Sequence, residues 1–161
     1  GSGKTTVSKI LQKLLVKHGK KVITIDGDII RDLYGNDLKF HLEDRKKQIG
    51  RIQQLAKFLN KKNNIIIVAA LYSNKKILNQ NRKIFKKYLE IYMKVPLKIL
   101  IKRDIKNLYK KALEKKIKNV VGVDIKGSRP TKSDLIVDQS KKISPILIAK
   151  QIFNIITNGK N

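Results

Sequence analysis

The sequence has no cysteine and no tryptophan, only 3 prolines, and 12 acidic residues against 38 lysines and arginines. Each shortage closes off a class of protein. Without cysteine there is no disulfide framework, no thiolate zinc site and no cysteine nucleophile, and the composition suits a reducing cytoplasmic compartment. The 2 histidines, His18 and His41, are too few and too far apart for a metal centre. No apolar run approaches the ~20 residues that span a bilayer, so no membrane partner is expected. Aromatic residues make up 6% of the chain, whereas nucleic-acid readers rely on stacking rings and arginine forks. The formal charge of +26 is built from 32 Lys and 6 Arg, scattered over every helical segment. It reads as a solvated lysine surface, and no nucleic acid is expected as partner. The length of 161 residues suits a single domain spanning 1–161 that buries about two-thirds of its unfolded surface.

What is present begins at the first residue. "GSGKTT" is the second half of the phosphate-cradle pattern G-x-x-x-x-G-K-[ST], with Gly1 in the fourth place, Gly3 in the sixth, Lys4 in the seventh and Thr5 in the eighth. The strand that normally precedes it would lie before Gly1, and the first residue is not Met, so the chain reads as an N-terminally truncated piece whose first strand is missing. In such a cradle the segment Gly1, Ser2, Gly3, Lys4, Thr5 and Thr6 wraps phosphates with backbone amides and a helix N-terminus. Lys4 reaches the β- and γ-phosphates, and Thr5 ligates Mg²⁺. ATP and Mg²⁺ are therefore the expected cofactors. The bland alternative is a glycine turn before a helix. The pattern by itself also leaves hydrolase, kinase and switch open.

The rest of the chain alternates strands with helices. Val7, Ile10, Leu11, Leu14 and Leu15 recur at helical spacing, with Gly19 as the C-terminal cap. "KKVITIDGD" reads as a buried strand ending at Asp26. A helix over residues 42–62, a strand in "NNIIIVAAL", a helix in "NKKILNQNRKIFKKYL" and a strand in "EIYMKV" follow. Pro96 opens another helix; "DLIVD" is a last strand, and Ser144 and Pro145 start a last helix. Alternation of this kind predicts an α/β fold with a mostly parallel sheet of about five strands, counting the missing first one. Ligands then bind beyond the carboxyl ends of the strands. A lid-like segment of about 104–133, rich in lysine, is the stretch expected to be mobile.

That carboxyl edge gathers acids and arginines. "IDGDIIRDLYGNDLKFHLEDR" sets Asp26, Asp28 and Arg31 just after a strand, then Phe40, Asp44 and Arg45. Phosphoryl transfer to an alcohol needs a carboxylate at the attacking hydroxyl, which Asp26 or Asp28 can supply. It also needs cations on the acceptor's own anionic group, a role open to Arg31 and Arg45. Strand capping and surface ion pairs are the competing reading.

The chain resembles the adenylyl-sulfate kinase family along essentially its whole length. The residues that carry the likeness are "GSGKTT", "IDGDIIR" for L-D-G-D-x-x-R, "LKFHLEDR" for L-G-F-S-x-x-D-R, "RDIKNLYKKA" for R-D-x-K-G-L-Y-x-K-A, and "VVGVD" with "DLIVD". The resemblance implies a three-layer P-loop fold of the nucleoside-monophosphate-kinase type and transfer from MgATP to a ribose 3'-hydroxyl, with adenosine 5'-phosphosulfate as acceptor in sulfate activation. It implies Asp26 or Asp28 beside the hydroxyl, Arg31 and Arg45 on the acceptor, Phe40 stacked on its base, and Arg103 to Lys111 closing over ATP. A small nucleotide is the implied partner, and a homodimer is allowed.

Departures from the family pattern cluster around the acceptor. Gln48 replaces an acceptor-binding Asn, Gly50 an Arg, Tyr72 a small Ser, and Val120 a second aromatic that helps sandwich adenine. One changed acceptor explains them together, so a kinase of cytidine diphosphoramidate, used in capsule modification, is the close alternative. A basic nucleic-acid-binding or non-catalytic nucleotide-binding P-loop protein is the alternative of another class.

Overall fold

The computed structural model describes residues 1–60, 64–71, 74–104 and 107–159. Its elements run α1 (Lys4–Lys17), β1 (Val22–Asp26), α2 (Gly27–Leu33), α3 (Leu42–Leu59), β2 (Ile65–Ala69), α4 (Lys75–Ile84), β3 (Ile91–Lys94), α5 (Leu97–Arg103), α6 (Leu108–Leu113), β4 (Leu135–Asp138) and α7 (Pro145–Thr157), with a 3₁₀ turn at Gln139–Lys141. Among the described residues four strands form two parallel pairs, β1 with β2 and β3 with β4, and the pairs are not hydrogen-bonded to each other. The register runs Val22 opposite Ile65 to Asp26 opposite Ala69, and Ile91 opposite Leu135 to Lys94 opposite Asp138.

Period-two alternation of β-branched residues creates the layers, because successive side chains leave a strand on opposite faces. Ile65 and Ile67 of β2 pack with Val7, Leu11 and Leu15 of α1 and Ile148, Ala149 and Ile152 of α7. Ile66 and Val68 turn the other way, toward Ile49, Ile52 and Ala56 of α3. Ile91, Met93 and Val137 join the α1–α7 core, so both strand pairs rest on the same helical layer. This is the three-layer α/β architecture expected from the sequence.

Local chemistry accounts for the element ends. Gly3 caps α1 at φ 85, a left-handed conformation that costs glycine little. Ser144 Oγ accepts from the Leu147 amide, with Pro145 in the first turn of α7. Pro96 sits one place outside α5, as its N-cap. The periodicity also expects α4 to continue through Phe85, but Phe85 adopts an extended ψ of 114 and stacks with Tyr88 at 6.4 Å. Among the described residues no helix is long and apolar enough to cross a membrane.

Candidate active site

The helix α1 begins without a capping side chain and without an acidic residue in its first turn. Its leading amides are therefore orphaned, and the helix dipole adds partial positive charge to them. Lys4, half-buried, is the first helical residue and donates to Ser2 Oγ at 3.2 Å. Burial pulls its pKa below the usual lysine value, while Asp28 and Asp26 pull it back up. Both acids thus lie within electrostatic reach of the cradle. Thr5 closes the link directly, donating its hydroxyl to Asp26 Oδ2 at 2.7 Å.

Asp26 has a second role as the N-cap of α2, its Oδ1 accepting from the Asp28 amide at 2.9 Å. The short helix it starts carries exposed Asp28, within electrostatic reach of Lys4, and half-buried Arg31. Gly27 fits there because a Cβ would meet the Ala70 side chain at 3.4 Å, tight against the next strand's exit. The hydroxyl of Thr5 and the carboxylate of Asp26 are hard oxygen donors in contact, a set that suits Mg²⁺ when phosphates complete the shell. Among the described residues no group of three or more His, Asp or Glu forms a self-sufficient metal cage.

The arginines gather on Phe40. The Arg31 guanidinium lies 4.6 Å and that of Arg45 5.5 Å from its ring centroid. Arg31 Nη1 donates to Leu38 O at 2.8 Å, and Arg45 Nε to Phe40 O at 2.8 Å, so each is tied to the loop that carries the ring. Burial lowers the pKa of Arg45, the Arg31 charge lowers it further, and Asp124 opposes both. Two adjacent guanidiniums, one of them partly desolvated, have the chemistry to hold an anionic group. Gln48 is buried on α3, donating Nε2 to Gly27 O at 3.2 Å while its Oε1 has no hydrogen-bond partner among the described residues. Gly50 lies on the same helix.

Arg103, at the end of α5, donates to Gly1 O at 3.3 Å and to Gln139 Oε1 at 3.2 Å, which places it against the start of the cradle. Lys111 is exposed on α6, and no contact joins it to the cradle among the described residues. Tyr72 lies outside the described residues. Three participants escaped the motif reading: Gln139, Asn119 and Asp124. Asp124 stands inside "VVGVD", so its signal was present, whereas Gln139 and Asn119 carry none.

A helix start with free-facing amides, a lysine, a threonine–aspartate pair and two neighbouring arginines beside parallel strands are groups of the kind a P-loop phosphotransferase uses. The family model described as adenylylsulphate kinase matches residues 1–138. Cytidine diphosphoramidate kinase of Campylobacter jejuni is 40% identical over 143 residues, covering 87% of this chain and 81% of that protein. Adenylyl-sulfate kinase of Clostridium acetobutylicum is 35% identical over 142 residues, covering 88% and 71%. The Mycobacterium tuberculosis APS kinase, solved in complex with AMPPNP and APS, superposes with a TM-score of 0.91 at 26% identity over 98% of this chain and 92% of that one. The chain belongs to the adenylylsulphate kinase family.

Proposed function

We propose that the protein transfers the γ-phosphate of ATP to the ribose 3'-hydroxyl of a nucleotide conjugate in the cytoplasm. The observation that carries this reading is the Thr5–Asp26 contact at 2.7 Å, which sets a carboxylate from the end of β1 against the phosphate cradle. Gly1, Ser2, Gly3 and the α1 amides hold the triphosphate, and Lys4 offsets its charge. Thr5 and Asp26 would hold Mg²⁺, which would supply charge neutralisation for the phosphates. Asp28, exposed two residues after Asp26 and within electrostatic reach of Lys4, is assigned to accept the proton of the attacking hydroxyl, with Asp26 as the alternative. Arg31 and Arg45 hold the acceptor's anionic end, and Phe40 takes its base. Arg103 holds the start of the cradle.

Adenosine 5'-phosphosulfate is the acceptor implied by the family as a whole. Cytidine diphosphoramidate is the second, and a specific observation favours it. Val120 stands where the family pattern has a second stacking aromatic, and at 4% exposure it offers a base neither a ring nor an open face. Losing one aromatic face removes ~1–3 kcal/mol of stacking, a loss that a smaller pyrimidine tolerates better. The test is turnover of ATP by purified full-length protein with each acceptor, alongside Lys4→Ala and Asp28→Asn. Transfer to either acceptor that disappears in Lys4→Ala and slows in Asp28→Asn, with MgATP still bound by the latter, is expected. No transfer to either, or unchanged rates in both variants, refutes the kinase reading.

A further inference from the structure

The segment after α6 reaches back across 74 residues to touch α3, because Arg45 Nη2 donates to Asn119 O at 2.8 Å. That carbonyl belongs to the peptide unit between Asn119 and Val120. The N–H of the same unit, on Val120, donates to Asp124 Oδ1 at 2.6 Å, and the Asn119 amide donates to Asp124 Oδ2 at 2.5 Å. In a trans peptide the N–H and C=O point in opposite directions. Fastening the N–H to Asp124 therefore aims the C=O away from it, and what lies there is the Arg45 guanidinium.

The turn is built to hold this orientation. Asn119 has φ 67, a left-handed conformation that asparagine tolerates better than most residues. Val120 O accepts from the amides of Val123, Asp124 and Ile125 at 3.1 to 3.2 Å, and the Val120 side chain is buried, anchoring the base of the turn. Arg45 has one N–H on Phe40 O and one on Asn119 O, while no partner holds Nη1 among the described residues. The two carbonyls thus fix the plane of the guanidinium and leave an edge of its fork to a ligand.

We propose that Asp124 is a positioning residue for acceptor binding, holding the Asn119–Val120 peptide so that its carbonyl sets the plane of the Arg45 guanidinium. The proposal rests on the reading of Arg45 as an acceptor ligand. Without the Asp124 carboxylate the peptide is free to turn, and its carbonyl leaves a guanidinium already short of solvent. The effect falls on the acceptor side only, since nothing in this chain of contacts includes the cradle.

Steady-state kinetics of the full-length protein test it, using the acceptor that the wild type phosphorylates. Asp124→Ala is expected to raise the acceptor KM about tenfold, the size of one lost charge-assisted interaction, with KM for ATP and kcat changed less than about threefold. Asp124→Asn, which keeps one acceptor oxygen, falls between. In an Arg45→Lys background, where no planar fork remains to be oriented, removing Asp124 is expected to cost less than about twofold more. Equal shifts in both KM values, an unchanged acceptor KM, or the same cost of Asp124→Ala with and without Arg45 overturns the proposal. If Asp124→Ala does not fold, the comparison passes to Asp124→Asn under the same criteria. A wild type that phosphorylates no nucleotide acceptor takes down the functional reading and this proposal together, whereas an active wild type with an indifferent Asp124 takes down this proposal alone.

Discussion

Asp26 is where stability and chemistry are most closely joined, and replacing it two ways separates them. Its carboxylate caps α2 and accepts from the Thr5 hydroxyl. Loss of an N-cap costs about 1 kcal/mol. A hydroxyl hydrogen bond to a charged acceptor adds about 1 kcal/mol at a site open to water. Asp26→Ala is therefore expected to destabilise by ~2 kcal/mol, which at ~2.1 cal/mol/K of unfolding entropy per residue lowers the melting temperature by ~6 °C. Asn is as good an N-cap as Asp, so Asp26→Asn is expected to keep the cap and melt within ~3 °C of wild type. Activity does not follow that order. Both substitutions remove the anionic oxygens facing Thr5 and Lys4, and kcat is expected to fall by about 10² or more in each. The assay pairs calorimetric melts with coupled phosphotransfer rates at saturating Mg²⁺ and ATP. An Asn variant that melts like wild type and keeps kcat within fivefold would refute the assignment of Asp26 to the reaction centre.

Three other outcomes are expected. Arg82 binds Asp134 at 3.0 Å, the Lys132 carbonyl, and the ring of Tyr88, with the buried Glu90 carboxylate 3.9 Å away. It does so at the starts of β3 and β4, away from the cradle edge. Arg82→Ala is expected to cost about 2 kcal/mol, below the figure for a fully buried pair because the arginine is partly solvated, and to leave both KM values unchanged. Phe40→Leu is expected to raise the acceptor KM by about tenfold while sparing KM for ATP, read by initial rates; equal shifts would contradict a stacking role. Asp138 is held below the usual carboxylate pKa by Lys94 first, at 2.7 Å, and by Ser140. A depressed folded-state pKa contributes stability above the unfolded value of ~3.9 and loses it as pH falls toward the folded value, so that part of the acid slope is expected to vanish in Asp138→Asn melts between pH 5 and about 2.

Elements with a strong local period were legible in the sequence. β1 ends at Asp26 and β2 lies within "NNIIIVAAL" because β-branched runs have few alternatives. The cradle and the acids after β1 were equally plain, since their chemistry lies in consecutive residues. Helix α2 was not visible: it is 7 residues long and buries only Ile30, too little for a helical period to register. The early end of α4 also escaped, because Phe85 leaves the helix to stack on Tyr88 even though its apolar spacing continues the pattern. Contacts between distant segments carried no local sign at all. Arg45 on α3 meets Asn119 and Arg82 on α4 meets Asp134 because a helix packs against a remote loop, which no window of sequence contains.

The Gln48 side chain bolts α3 to the first carbonyl of α2 from inside the protein, out of reach of competing water. The platform bearing Asp28, Arg31 and Arg45 is therefore fastened from within, like an anvil bolted through its base. A crystallographer trapping successive stages of a catalytic cycle should see the α2–α3 spacing stay constant.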